Sequence, residues 1–442
     1  MSEETVVVKD FFSDEKKIYD SVHGFIKLDQ FEKELIDSVP FQRLHYIRQL
    51  GVAYFVYPGA THTRFEHSLG VMQLSTRIFH NVSKMIRPDV FHFVPRKGSP
   101  EYHYWRRVLR FASLCHDLGH LPFSHLAENE ISDLDHLEWT LKIIESDHLL
   151  PLWEKVEKQT GIKEIFPERS LVEDIGKLTV GEKQWKKSKK GSFTTWEKVM
   201  SEIIVGDFFG SDRIDYLLRD SRSTGVAYGL FDYDQLIEMI RILPSPDNKE
   251  CEFALGMNEN GMEACEALLL ARHFMYRRIY HYSTVKAYNF HFRRFMKSIF
   301  TADDFSDVDH FLRHNDTHVI SELHKAAHEK NHIGHDDALR IINKKNRFKA
   351  IAVSFDISEK ELFGIQNKEN IPDDQMVWEM QLSNAYSDSL SFPVSRHHLM
   401  IENAKDCSDI LNSLSQRMNN WIYVSPEYEI LLTQALENWR LK

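Results

Sequence analysis

A mainly α-helical fold with a smaller mixed α/β lobe at its C-terminal end is what this sequence predicts, on three observations. Apolar residues recur at three- to four-residue spacing through most of the first 300 residues. Strand-like runs are sparse. The helical pattern also thins after an acidic stretch, Asp303 to Asp316, read here as the joint between a core of residues 1–300 and a lobe of residues 301–442. A chain of 442 residues, 42% of them hydrophobic, can bury one large core or two smaller ones.

The elements follow in order. Residues 30–50 read as helix, with Phe31, Leu35, Ile36, Phe41, Leu44 and Ile47 on one period and Pro40 as an interruption. Gly51 to Tyr57 reads as a strand. Pro58-Gly59-Ala60-Thr61 forms a turn, and a helix carrying Phe65, Leu69, Met72, Leu74, Ile78 and Phe79 runs from there to about Met85. Tyr104 to Cys115 is apolar at helical spacing, and Gly119 ends the run. Residues 133–148, 196–209 and Asp212 to Arg222 are further helices, and Gly261 to Phe300 is one or two long buried ones. Residues 244–250 suggest a hairpin or turn, and Ala350 to Phe355 alternates as a strand. The lysines at 183, 186, 187, 189 and 190 read as a solvated loop, with a phosphate-rich ligand or nucleic acid as the sharper alternative.

Composition narrows the function. A net charge of −11 argues against nucleic-acid binding by the whole surface. No apolar run approaches ~18 residues, and the acidic Met1-Ser2-Glu3-Glu4 start lacks the regions of a secretory signal, so a cytoplasmic protein without a membrane partner is expected. Four cysteines without CxxC spacing exclude a disulfide scaffold or zinc ribbon.

The chemistry centres on His116-Asp117, at the C-terminal edge of a helix, where consecutive side chains can face one ion most easily. With His67 upstream and Asp212 downstream, the pair makes a dispersed set of two imidazoles and two carboxylates. Mixed nitrogen and oxygen ligation suits Mn, Fe, Zn, Co or Ni better than Mg, and leaves positions open for water and a phosphate oxygen. A hydrolytic site also needs a proton donor. His125 can serve, oriented by Glu128 three residues on, while His120 and His136 can complete the shell. Arg64, one turn before His67, can grip a phosphate as a bidentate fork. Asp212, Tyr216, Arg219 and Asp220 share a helix face, and Asp215 can pair with Arg219. A second pair, His335-Asp336, reads as a loop entering a helix with Asp336 or Asp337 as N-cap. The set as a whole reads as a metal-dependent phosphohydrolase.

Longer strings carry a resemblance. Pro40-Phe41-Gln42-Arg43-Leu44-His45-Tyr46-Ile47-Arg48-Gln49-Leu50-Gly51, Phe65-Glu66-His67-Ser68-Leu69-Gly70-Val71, His116-Asp117-Leu118-Gly119-His120 and Asp212-Arg213-Ile214-Asp215-Tyr216 resemble the HD-domain phosphohydrolases. Within these the likeness is to the deoxynucleoside triphosphate (dNTP) triphosphohydrolases, above all the animal SAM-and-HD-domain enzymes and their bacterial relatives. It covers roughly residues 17–300.

The resemblance implies an HD-domain helical core, metal ligation by His67, His116, Asp117 and Asp212, and His125 as catalytic histidine supported by Glu128 and His136. It implies triphosphate contacts from Arg64, Arg213 and Tyr216, sugar contacts from Gln49 and Leu50, and sugar and tail contacts from Asp220, Arg272 and Tyr280. Glu128 replaces the usual Asp, Arg213 a common Lys, and His281 a base-contacting Gln. Water would attack the α-phosphorus, releasing triphosphate and a deoxynucleoside. A homo-oligomer, dimer or tetramer, is implied, with a nucleotide activator between subunits. Asp37, Gln42, Lys345 and Lys349 match that activator site in type, whereas His45 replaces an arginine, and Gln235 and Leu255 stand where a neighbouring site has arginines. A simpler or absent activation is therefore expected. The alternatives are an HD nuclease, a phosphohydrolase of another nucleotide, or a non-catalytic nucleotide- or nucleic-acid-binding oligomer.

Overall fold

The computed structural model describes residues 16–85, 87–126, 128–189, 191–245, 253–353, 357–379, 391–396, 400–413 and 420–440. The N-terminal tetrapeptide, Lys190, residues 246–250 of the expected turn and Phe355 of the expected strand lie outside them. Helices dominate and strands are short, as the sequence predicts. No helix among the described residues is long and apolar enough to cross a membrane.

Local chemistry sets the helix starts. A Thr63–Glu66 capping box opens Arg64–Lys84, so that helix begins at Arg64 rather than at the Pro58 turn. Ser99 caps Pro100–Cys115, with Pro100 where its missing N–H costs nothing, and His116 follows as the C-cap residue. Asp135 and Glu138 box the start of His136–Ile144. Buried faces of Arg64–Lys84, Pro100–Cys115 and Ser211–Thr224 pack on one another to form the centre of the core.

Several expected elements change. The 30–50 helix breaks into Gln30–Ile36, Val39–Arg43 and a short turn at Leu44–Tyr46, because Pro40 can sit in the first turn of a helix but not in its interior. Gly51–Phe55 is a 3-10 helix instead of a strand. Val52 and Ala53 are buried, and Phe55 stacks on Tyr288 at 4.9 Å, so the apolar run packs directly into the core. The lysine stretch is helical: Leu171–Ser188 continues through it past a kink at Gly181, whose φ of 74° and ψ of 168° only glycine adopts without strain. Gly261 to Phe300 is two helices, Met262–Met275 and Ser283–Ile299, joined by a π-helical turn at Tyr276–Tyr280. His335-Asp336 opens the helix His335–Ile342 behind Gly334, so the aspartates fall in the first turn and not at the cap.

Among the described residues three small sheets accompany the helices. Lys16–Asp20 and Gly24–Leu28 form an N-terminal hairpin. Ile240–Pro244, Phe253–Asn258, Pro393–Ser395 and Ile401–Asn403 make a four-stranded sheet in that order. Asn420–Val424 lies between Lys349–Val353 and Met376–Glu379 in a third sheet. Phe305, Phe311, Val319, Leu323 and Ile341 share the main core with residues before position 300. Val353, Leu362, Met376, Ile422 and Leu432 build a separate small core around the third sheet.

Candidate active site

Three helices converge on one buried point. His67 comes from the second turn of Arg64–Lys84, His116 from the end of Pro100–Cys115 with Asp117 beside it, and Asp212 from the start of Ser211–Thr224. His67 Nε2 lies 3.0 Å from Asp212 Oδ1 and 3.3 Å from His116 Nε2. Asp117 closes the set, with Oδ2 3.7 Å from His67 Nε2 and Oδ1 3.5 Å from His116 Nε2.

The other ring nitrogens are already engaged. His67 Nδ1 donates to Asp215 Oδ2 at 2.7 Å, and His116 Nδ1 donates to the Ser113 carbonyl at 2.8 Å. Each ring therefore turns the lone pair of its Nε2 toward the centre, where carboxylate oxygens also point. Lone pairs facing each other without water between them require a proton or a cation. Donor atoms about 2.1 Å from an ion stand roughly 3.0–3.4 Å apart, close to the spacing seen here. This donor set fits a divalent metal ion.

Electrostatics agree. Burial opposes charge on His67, but the Asp212 and Asp215 carboxylates outweigh it and push the imidazole up to about 10. Burial likewise opposes charge on Asp117 and Asp212. Arg64 and the neighbouring histidines nevertheless hold Asp117 well below the usual carboxylate range, and His116 and His67 do the same for Asp212. The centre is an anionic cage that favours a cation.

A buried network stands behind His67. Asp215 accepts from His23 Nε2 at 2.6 Å and from Arg219 Nε at 2.8 Å, and Arg219 reaches Asp20 at 2.8 Å. Asp215 and Arg219 are fully buried, so their pair belongs to the core and is not a surface salt bridge. Gly70 makes the space: a Cβ there would lie 1.9 Å from Asp215 Oδ1. His23 and Asp20 sit about the turn of the N-terminal hairpin, and sequence reading did not single them out.

The second cluster adjoins the first. Glu128 Oε2 accepts from His125 Nδ1 at 3.2 Å, and Glu128 Oε1 lies 3.0 Å from His136 Nδ1. His120 stacks on His136 at 4.3 Å and comes within 3.2 Å of Asp117 Oδ1, linking the clusters. Burial, Arg64 and His136 hold the His120 imidazole well below its usual range, so it is neutral. Burial opposes charge on Glu128, but the hydrogen bond from His125 and the His136 imidazole beside it keep its carboxyl below the usual range. Phe123 and Ser124, just before His125, both adopt left-handed backbone, with φ of 57° and 61°. Asp316 braces that loop by accepting from the backbone N–H of Phe123 at 2.7 Å and of Arg48 at 3.0 Å.

A cavity of about 1050 Å³ opens over Asp212 and the His116-Asp117 pair, and Gln49, Arg64, Tyr216 and the histidine cluster share its wall. Arg64 donates to Asp117 Oδ2 at 2.6 Å and to Ser124 Oγ at 2.9 Å. Leu50, Arg213, Asp220, Arg272, Tyr280 and His281 are not on that wall. Nε and Nη1 of Arg213 are buried without hydrogen-bond partners among the described residues. Asp220 accepts from Tyr280 at 2.8 Å and from His62 at 2.7 Å. Arg272 lies over the Tyr276 ring at 5.4 Å, and His281 stacks on the same ring at 5.6 Å. Of the candidate activator residues, Asp37 pairs with Lys33, Gln42 donates to the Ile36 carbonyl at 2.8 Å, and His45 stacks on Phe65 at 3.5 Å. Lys345 and Lys349 are exposed and make no ion pair among the described residues.

Comparison with known proteins agrees with this geometry. Residues 64–166 match the HD domain and residues 231–379 the HD associated region. The uncharacterized protein MJ1154 of Methanocaldococcus jannaschii is 31% identical over 327 residues, 72% of this chain and 59% of that protein. Deoxynucleoside triphosphate triphosphohydrolase SAMHD1 of Homo sapiens is 32% identical over 245 residues, 51% of this chain and 36% of that protein. The chain thus spans little more than half of the first relative's length and about a third of the second's. A crystal structure of a hypothetical protein from Aquifex aeolicus superposes with a TM-score of 0.69 at 31% identity, covering 96% of this chain and 100% of that one. A phosphohydrolase from Bacteroides thetaiotaomicron shares the fold, with a TM-score of 0.70 at 21% identity, covering 93% of this chain and 100% of that one. With both segments matched, and His67, His116 and Asp212 brought within ligating distance of one point beside Asp117, the chain belongs to the HD-domain phosphohydrolase family.

Proposed function

We propose that the protein is a metal-dependent dNTP triphosphohydrolase, converting a dNTP and water into a deoxynucleoside and inorganic triphosphate. The observation that carries the reading is one cavity lined by His116, Asp117 and Asp212 of the cation site and by His125, whose Nδ1 donates to Glu128, a pair able to deliver a proton. The similarity to SAMHD1, whose name states this activity, supports the choice of substrate.

In this reading His67, His116, Asp117 and Asp212 hold the metal. When bound, the metal polarises the phosphoryl group and makes water acidic enough to attack at neutral pH. Arg64, at 2.6 Å from Asp117, can exchange that carboxylate for a phosphate oxygen of the substrate. Arg213, with two unpartnered N–H groups, can take another. His125 Nδ1 donates to Glu128, so Nε2 is the atom that passes a proton to the leaving 5′ oxygen. Glu128 stays ionised and stabilises the charged imidazole. Tyr280 and Asp220, bonded to each other, form the sugar end, Gln49 and Leu50 its other side, and His281 contacts the base. The small C-terminal core serves oligomerisation or regulation, in a dimer or tetramer.

The test is to load the protein with Mn or Fe, supply each dNTP with and without GTP, and separate the products. Deoxynucleoside with intact triphosphate is the expected result. Monophosphate with pyrophosphate, or no turnover of any dNTP, would reject the reading and favour another nucleotide or a nucleic acid as substrate.

A further inference from the structure

Each of the three helices that meet at the cage also carries a fully buried serine, and the three hydroxyls touch. Ser75 lies on Arg64–Lys84 with His67, Ser113 on Pro100–Cys115 three residues before His116, and Ser211 opens Ser211–Thr224 directly before Asp212. Ser75 Oγ is the hub, 2.7 Å from Ser211 Oγ and 2.8 Å from Ser113 Oγ. Ser113 Oγ also lies 2.8 Å from the Leu109 carbonyl, so three hydroxyl hydrogens serve three contacts and none is left over.

This arrangement differs from that of other buried hydroxyls nearby. Inside a helix such a side chain ordinarily turns back to the carbonyl four residues earlier. Thr76 does so, on the Met72 carbonyl at 2.7 Å. Ser75 does not. Among the described residues, its hydroxyl and that of Ser211 bond only to serines of other helices. Ser68 and Ser83, on the same helix as Ser75, are buried with no hydrogen-bond partner for Oγ among the described residues. Burial alone therefore does not bring serines together here.

What the chain of hydroxyls controls is spacing. A serine is short enough for two helix backbones to approach, and the hydroxyl contact fixes how near they come. Arg64–Lys84 and Ser211–Thr224 are already tied at one point by His67 and Asp215. The Ser75–Ser211 contact is a second tie, about two turns further along the first helix. Two ties fix the angle between helices where one leaves it free. On the third helix, the Ser113 carbonyl accepts from His116 Nδ1 at 2.8 Å, so a residue of the chain also orients a ligand. Ligand distances in a metal site must hold to within about 0.2 Å, so the placement of these helices reaches the ion. We propose that Ser75, Ser113 and Ser211 are positioning residues, whose hydroxyl chain sets the relative placement of the three helices and hence how tightly the cage holds a divalent cation. The proposal rests on the metal cage of the proposed function and not on the identity of the substrate.

Titration of the metal-free full-length protein with Mn(II), with free Mn(II) read by electron paramagnetic resonance, tests it. A direct partner of a metal ligand is worth about 10–100-fold in affinity, and Ser75 acts one step further out, so Ser75→Ala should raise the dissociation constant about 5–10-fold. Ser83→Ala removes a buried hydroxyl from the same helix outside the chain and should leave the constant unchanged. The double variant Ser75→Ala/Ser211→Ala leaves neither position with an unpaired buried hydroxyl. Thermal unfolding of its metal-free form should therefore recover relative to Ser75→Ala, while the constant stays raised because the tie is absent. The proposal is overturned by an unchanged constant in Ser75→Ala, by an equal rise in Ser83→Ala, or by a double variant whose affinity returns with its stability. Wild type that takes up no Mn(II) would refute the cage itself, and the proposal with it, whereas binding by wild type with unaltered variants would refute the serines alone.

Discussion

Two clusters of histidine and carboxylate lie side by side in this molecule, and they are held in opposite ways. The cage of His67, His116, Asp117 and Asp212 is projected from three packed helices, and its imidazoles are each locked by a second hydrogen bond. The neighbouring set of His120, His125, Glu128 and His136 grows from a loop with two left-handed residues, and the His125 side chain is 61% exposed while His67 is wholly buried. A group that binds a cation gains from rigidity, because repulsion among its donors is then relieved only by the ion. A group that must deliver a proton and release it gains from solvent contact. The difference teaches which cluster is suited to hold an ion and which to exchange a proton with solvent.

The largest expected effect would come from breaking the rigid side. His67→Ala should abolish both stoichiometric metal content, measured by elemental analysis, and detectable hydrolysis. His125→Ala strikes the solvent-facing side, so metal content should remain while turnover falls by about 10²–10⁴-fold. If His125→Ala also empties the site, the division between the two clusters is wrong.

Reading the sequence alone picks out the residues that the structure brings together at the centre better than it picks out their supports. His116-Asp117 is legible because it ends an apolar helix, whereas His335-Asp336 opens one and its Asp337 pairs with His291 at 2.9 Å. His23 was not legible. It is 192 residues from Asp215 in sequence and sits in a hairpin with no periodic signal. The Gly51 to Tyr57 run misleads because its β-type residues pack into the core as a 3-10 turn without a partner strand. The lysine stretch resembles a loop in composition, and the helix it forms is apparent only once Gly181 is seen to turn within it.

Smaller effects sharpen the comparison. His23→Ala removes an anchor of the cage and not a ligand, so the apparent metal dissociation constant should rise about 10–100-fold with the fold intact. An unchanged constant in a metal titration would mean that Arg219 alone suffices to position Asp215. On the His125 side, burial pushes the Asp316 carboxyl up to about 6 from its ordinary 3.8, although two backbone N–H groups lower it. A raised folded value gives stability that is full below about pH 4 and is lost as pH rises through 6, about 3 kcal/mol at most. Asp316→Asn cannot titrate, so urea midpoints of wild type relative to this variant should fall between pH 4 and 6.5. A difference independent of pH would show that Asp316 ionises in the folded chain as it does in the unfolded one, so that burial does not keep this carboxyl protonated.

The central claim is that this pair of clusters cleaves a dNTP between its α-phosphorus and its 5′ oxygen. Hydrolysis in heavy-oxygen water, followed by mass spectrometry of both products, tests it most directly. The account predicts one heavy oxygen in each triphosphate and none in the deoxynucleoside. Label in the deoxynucleoside, or label in a monophosphate released with pyrophosphate, would contradict it.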